Sequence, residues 1–94
     1  MENKQKLNDI DIKKKIEKFI RNNFLLGSVS NSLDENDSFL EKGIIDSTGI
    51  LELVEYVQET FKIKIEDEEL LPDNLDSLER ITVFISNKIN AEGK

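Results

Sequence analysis

The 94-residue sequence contains no cysteine and no histidine. Without cysteine, the chain can form neither a disulfide framework nor a thiolate zinc site, and nothing indicates an oxidising compartment. Without histidine, it lacks the base of Ser–His and Cys–His nucleophile pairs and a main ligand of zinc sites. It also lacks a glycine-rich phosphate-binding loop. These absences predict that the chain is not an enzyme.

Long apolar runs are also missing. No segment approaches the roughly 20 apolar residues that a membrane-spanning helix needs, and polar residues 1–8 lack the apolar segment of a signal peptide. An apolar content of 37% suits one domain with a small core. We therefore expect a single domain over residues 1–94, with a frayed extension at 1–9 and a loose tail at 91–94. We expect it to be a cytoplasmic monomer that does not insert into membranes.

Charge is unevenly distributed along the chain, whose net charge is −7. Residues 1–22 carry seven basic residues against four acidic ones, whereas residues 46–79 carry two basic residues against eleven acidic ones. An acidic field of this size argues against a nucleic-acid ligand and favours partners with basic docking surfaces. The alternative is that the acidic residues simply keep a small protein soluble.

Apolar residues recur three and four positions apart in three segments. This spacing predicts amphipathic helices at about residues 11–25, at 47–61 and from about 77 to 89. We expect Asp9 or Asp11 to cap the first of them and Asp76 or Ser77 to cap the last. The acidic stretch 66–71 predicts a short helix that Pro72 ends, and Asp73 or Asn74 is expected to begin another turn. Because no segment has a strand pattern that could pair, we predict an all-α four-helix bundle with three longer helices, one short helix and a long loop between the first and second helices.

The long loop, residues 26–46, is rich in Ser, Asn, Asp and Gly. A loop of this length in a small domain is usually either functional or a missed element of secondary structure. We expect Leu33, Phe39 and Leu40 to attach it to the core, through a short helical turn that Gly43 ends. Its acidic residues do not fit an EF-hand, because Phe39 stands where the turn glycine belongs, and we predict no metal site.

Three glutamates follow one face of the second predicted helix, at spacings of three and four. We call Glu52, Glu55 and Glu59 the acidic ridge. Like charges so placed destabilise a helix by a few tenths of a kcal/mol per pair, so a face that served the fold alone would usually include Lys or Arg. With Leu51 exposed beside it, the ridge favours a docking surface over a solvated structural face.

Ser47 lies where the loop meets the second helix. A hydroxyl there is close to the positive end of the helix dipole and to unpaired backbone N–H groups, which favour a phosphate ester. Both Asp46 and Ser47 are also good helix caps, so the Asp-Ser pair alone does not distinguish a modified serine from a cap.

The surrounding residues resemble the signature of acyl carrier proteins and the related peptidyl and D-alanyl carriers. The resemblance extends over about residues 11–90. In that family, a serine at the start of the second helix carries 4'-phosphopantetheine. The matching residues are Phe39, Gly43, Ile45, Asp46, Ser47, Leu51, Glu52, Leu53, Val54 and Phe61.

The resemblance implies that a phosphopantetheinyl transferase attaches the cofactor to Ser47, using coenzyme A and magnesium. Asp46, Thr48, Leu51 and the acidic ridge would be recognised by that transferase, by an acyl- or aminoacyl-loading ligase, and by downstream transferase or synthase enzymes. The chain would carry an acyl or aminoacyl group as a thioester in fatty-acid, lipid or specialised-metabolite biosynthesis. The reactive thiol would belong to the cofactor, consistent with a chain that lacks catalytic residues.

Two residues depart from the fatty-acid carriers. Many of those proteins have Leu or Met after the serine, where this chain has Thr48, and Gly49 is more similar to the D-alanyl carriers. The cargo is therefore left open between an amino acid and an acyl chain. The alternative function is an unmodified acidic helical adaptor that docks on a basic protein, which needs the acidic ridge but not Ser47.

Overall fold

The structure of the protein, a computed structural model, describes residues 8–24 and 34–92. Four α-helices follow in order: α1 is Asp9–Asn23, α2 is Ser47–Phe61, α3 is Pro72–Leu75 and α4 is Leu78–Glu92. A 3₁₀ turn, Asp67–Glu69, precedes α3. The described residues contain no strand, so the prediction of an all-α bundle with three longer helices and one short helix is confirmed. None of these helices is long and apolar enough to cross a membrane.

The first and last helices of the chain, α1 and α4, each extend beyond their predicted bounds at one end. Helix α1 begins at Asp9, two residues before the expected start, because the Asn8 side chain caps it by accepting a hydrogen bond from the Asp11 N–H at 2.9 Å. The predicted caps Asp9 and Asp11 are thus wrong, and Asp9, which was assigned to the frayed extension, is the first residue of the helix. Residues 1–7 of that extension lie outside the described residues. Helix α4 continues to Glu92 through Ala91, a strong helix former, into the predicted loose tail.

The short helix lies after proline instead of before it. Residues 67–69 form only one 3₁₀ turn, closed by a capping box between Glu66 and Glu69. Pro72 then occupies the first turn of α3, where its fixed φ suits the helix and its missing N–H removes no helical hydrogen bond. The prediction that Pro72 ends the short helix is therefore wrong.

The core lies where the apolar faces of the three long helices meet, with α1 packed against α4. Its most deeply buried aliphatic side chains follow the predicted stripes. They are Ile12, Ile16 and Ile20 from α1, Leu53 and Val57 from α2, and Ile81 and Ile85 from α4. The packing fixes the start of α2 against its neighbours.

In the described part of the loop before α2, Phe39 is fully buried in this core, as predicted, and Ile45 is buried with it. Leu40 instead remains 44% exposed, so its predicted anchoring role is wrong. The reason is that the turn directs successive side chains to different sides. Gly43 ends the turn with a φ of +70°, as expected for a residue in the left-handed region. Leu33 lies outside the described residues.

Candidate functional site

Ser47 is the first residue of α2, and its side chain is exposed. The cap is the preceding residue: Asp46 has an extended backbone, and its Oδ1 accepts a hydrogen bond from the Gly49 N–H at 2.7 Å. The Ile50 N–H donates to the Asp46 carbonyl at 3.0 Å, the first helical bond. The Ser47 hydroxyl therefore takes no part in capping and faces solvent. This resolves the ambiguity of the Asp-Ser pair in favour of a free serine.

The backbone around Ser47 suits a phosphate group. The N–H groups of Ser47 and Thr48 donate to no acceptor among the described residues, as expected for the first turn of a helix. Unpaired first-turn donors and the helix dipole both favour an anion. The negative charge of the Asp46 carboxylate repels a phosphate at Ser47, but one of its oxygens already accepts the capping hydrogen bond from the Gly49 N–H.

Gly49 is buried in the first turn, and its role is steric. A Cβ at this position would lie 2.7 Å from Ile45 Cγ2 and 2.7 Å from Phe24 Cε1, closer than real Cβ contacts. Glycine therefore allows the start of α2 to pack tightly on the loop and on the end of α1. In the sequence, Gly49 is a point of similarity to the D-alanyl carriers. The structure explains the glycine by tight packing alone, whatever cargo the protein carries.

A pocket of about 250 Å³ opens beside Ser47, between α2 and the segment that carries α3. Its aliphatic lining comes from Leu40, Ile50, Leu51, Leu70, Leu71 and Leu75. Ser47 and Asp76 contribute the polar atoms of the lining. The free hydroxyl is therefore next to an apolar surface that could contact an extended chemical group.

Three leucines at this pocket are unusually exposed. Leu40, Leu51 and Leu71 are 44%, 57% and 49% exposed, and we call them the leucine rim. Only two other large apolar side chains of residues 8–24 and 34–92 are comparably exposed, Ile10 and Val83. Exposed apolar side chains that cluster mark interaction sites more often than isolated ones do.

Sequence reasoning identified Leu51 but missed the rest of the leucine rim. Leu40 follows the buried Phe39, and Leu71 is the second of two consecutive leucines, so neither fits a single helical stripe. The sequence signal for their exposure is that each follows another large apolar residue, because two neighbouring side chains of a turn are seldom both buried in the core.

The acidic ridge is exposed along its whole length, as predicted. No basic side chain in the described ranges forms an ion pair with Glu52, Glu55 or Glu59. Glu52 and Glu55 line a groove of about 430 Å³ together with Thr48 and Leu51. The structure therefore brings four predicted recognition residues into one surface beside Ser47, while Glu59 lies further along α2, outside the groove.

The described residues show no cluster of three acidic side chains able to hold a metal ion. Charged pairs instead connect elements of the fold through residues that do not line the Ser47 pocket. Lys13 of α1 forms ion pairs with Glu35 of the loop and with Glu79 of α4, at 3.2 Å for Glu79. The hydrogen bond from Lys13 lowers the pKa of Glu35, and the bond to Glu35 is also the main cause of the raised pKa of Lys13. These residues connect elements of the fold and lie apart from the Ser47 pocket.

No protein-family model matches the sequence, and no curated protein does. The structure is similar to a chain from a solved structure described as "Crystal structure of FAD-dependent dehydrogenase". The TM-score is 0.65 and the sequence identity is 28%, over 74% of this chain and 97% of that chain. The match thus includes nearly all of the other chain.

Proposed function

We propose that the protein is a carrier that bears 4'-phosphopantetheine on Ser47 and transports an acyl or aminoacyl group between enzymes. The main supporting observation is the position of Ser47. Its hydroxyl is exposed at the first residue of α2 and is left free because Asp46 supplies the cap. The free hydroxyl supports the proposal together with the resemblance between the sequence and the carrier-protein signature. The Asp-Ser pair alone could not indicate it, because either residue could have been the cap.

The residues around Ser47 are compatible with the proposed group. The unpaired N–H groups of Ser47 and Thr48 suit its phosphate, and the leucine rim offers apolar contacts to the arm that extends from it. When bound, the group would supply the thiol that holds the cargo as a thioester, a function for which this cysteine-free chain has no side chain.

The partners we propose are a phosphopantetheinyl transferase, a loading ligase and downstream transferase or synthase enzymes. They would recognise Asp46, Thr48, Leu51 and the acidic ridge through basic surfaces, because opposite charges guide two proteins into the correct encounter. Tethering the cargo would raise its effective concentration at each partner. We assign this cycle to the cytoplasm, consistent with a sequence that has no cysteine to form disulfides.

The similarity to the solved structure supports the overall fold on which this proposal depends. From the two coverage values, the matched chain has about 70 residues, the length of a small domain. We transfer no flavin chemistry from its description. The pocket beside Ser47 is about 250 Å³, below the roughly 300–1,000 Å³ of usual ligand sites and too small to enclose a dinucleotide.

The proposal is tested by treating the 94-residue protein with coenzyme A, magnesium and a promiscuous phosphopantetheinyl transferase. Intact-mass spectrometry should show one added cofactor mass on the wild type and none on Ser47→Ala. Thr60→Ala is the matched control, because it removes a hydroxyl from the far end of the same helix and should leave modification intact.

A wild type that stays unmodified with several transferases would contradict the carrier function, as would a Ser47→Ala variant that is modified equally well. The acidic ridge, exposed and without ion pairs in the described structure, would then favour the unmodified adaptor. Binding of a basic protein that is unaffected by Ser47→Ala would support that second function.

A further inference from the structure

The turn that precedes Ser47 is held by Asp76, a residue that also lines the pocket. The Asp76 carboxylate accepts hydrogen bonds from the Ser38 hydroxyl and from the Leu40 N–H, the latter at 3.1 Å. Its backbone carbonyl accepts a third from the Phe39 N–H at 2.8 Å. Asp76 is only 9% exposed. One nearly buried residue therefore binds three consecutive residues of the loop.

Asp76 is not the cap of α4, although it precedes that helix. Ser77 has this role: its Oγ accepts a hydrogen bond from the Arg80 N–H at 3.1 Å, and its carbonyl accepts from the Ile81 N–H at 3.0 Å. The Asp76 carboxylate thus binds the loop and does not cap α4. Burying a carboxylate has a large desolvation cost, which charge-assisted hydrogen bonds of this kind offset.

Hydrogen bonds continue from this contact towards Ser47. The Phe39 carbonyl accepts from the N–H groups of Ile44 and Ile45, at 2.9 and 3.2 Å. The next residue is Asp46, the cap of α2. The side chain of Leu40, whose own N–H binds Asp76, forms part of the pocket wall. A change at Asp76 would therefore be transmitted both to the pocket and to the start of α2.

We propose that Asp76 is a positioning residue that holds the Leu40 wall of the Ser47 pocket and thereby determines how well modifying enzymes bind around Ser47. The inference rests on the proposed function. Asp76 touches no reacting atom, so it acts on the enzyme–carrier encounter and not on the chemical step. Its loss should raise KM for Ser47 modification while leaving kcat nearly unchanged.

The test compares Asp76→Ala with Ser77→Ala in steady-state modification of Ser47 by a phosphopantetheinyl transferase. Ser77→Ala is the matched control, because it removes a cap from the neighbouring buried position without touching the loop. We expect Asp76→Ala to raise KM about five- to tenfold, and Ser77→Ala to keep the wild-type KM. Asp76→Asn retains one carbonyl oxygen and should restore part of the loss. If Asp76→Ala does not fold, Ser38→Ala removes one of the same bonds and should raise KM to a smaller extent.

Amide hydrogen exchange gives a second readout that does not depend on modification. The Leu40 and Ile44 amides should exchange faster in Asp76→Ala than in Ser77→Ala, because only the first variant releases the turn. Equal KM changes in the two variants, or an unchanged KM despite a released Leu40 amide, would overturn the proposal. If the wild type accepts no cofactor, the carrier function fails, and the exchange result alone then decides whether Asp76 holds the turn.

Discussion

Replacing Asp46 with alanine should lower the free energy of unfolding by about 1–2 kcal/mol. The Asp46 carboxylate caps α2 by accepting the Gly49 N–H at 2.7 Å. Removing an N-cap usually destabilises a protein by about 1 kcal/mol, and loss of a negative charge at a helix N-terminus adds about 0.3–1 kcal/mol. For a domain of this length, each kcal/mol lowers Tm by about 4–8 °C, so the variant should melt about 5–15 °C lower.

Asp46→Asn separates the cap from the charge. The amide oxygen of asparagine can still accept the Gly49 N–H, so only the dipole contribution of up to about 1 kcal/mol is lost. Urea unfolding followed by circular dichroism measures both variants, and the slope m should remain at the wild-type value if only stability has changed. The reasoning is refuted if Asp46→Ala unfolds at the wild-type urea concentration, or if the asparagine variant loses as much stability as the alanine variant.

The same pair tests whether partner enzymes recognise Asp46 directly. Asp46→Asn should remain folded at assay temperature, so slower modification of Ser47 in that variant would report recognition of the charge. Modification at the wild-type rate would instead restrict Asp46 to its structural role as the cap. Stability and recognition, which coincide at this residue, are thereby measured separately.

Three further variants test other parts of the structure. Gly49→Ala should lower the urea midpoint, because the overpacking cost of about 1–3 kcal/mol exceeds the helix-propensity gain of up to about 1 kcal/mol; wild-type stability would contradict the packing role. The pKa of Glu69 is lowered, first by a hydrogen bond from the backbone N–H just before the 3₁₀ turn and then by Lys88. Its contribution to stability is therefore present above the unfolded value of 4.5 and is lost as pH falls through the folded pKa. Glu69→Gln should be less stable than wild type at pH 7, and the difference should disappear once the pH is below the folded pKa. Reversing Glu52 and Glu55 to lysine should slow modification of Ser47, most strongly at low salt, with unchanged helix content; equal rates at low ionic strength would make these glutamates a solvated face.

Features that depend on neighbours along the chain could be predicted from the sequence. The stripes through Ile16, Leu53 and Ile85 repeat with the period of an α-helix, and the same side chains are buried in the structure. A helix start near Ser47 could be predicted because both Asp46 and Ser47 are good helix caps, although the sequence does not say which of the two is the cap. The prediction at Pro72 failed because proline can either end one helix or begin the next. Local sequence does not distinguish these two roles, and in the structure Pro72 begins α3.

Features of the candidate site that join distant segments could not be predicted in this way. Leu40 and Leu71 reach the same pocket from opposite sides, and Asp76 binds a turn 36 to 38 residues earlier. Sequence spacing contains no information on such contacts, because hydrogen bonds and apolar packing act over a few ångströms in space whatever the separation along the chain.

The all-α fold, the exposed acidic ridge and the position of Ser47 at a helix start could all be predicted from local sequence, because each depends on residues within one or two turns of helix. Three features became evident only from the packed fold: Asp46 leaves the Ser47 hydroxyl free, Ile45 and Phe24 require glycine at position 49, and the leucine rim lines the pocket. The cap could have been either residue on local chemistry. Its assignment, like the other two features, was resolved only when the loop and helices packed together.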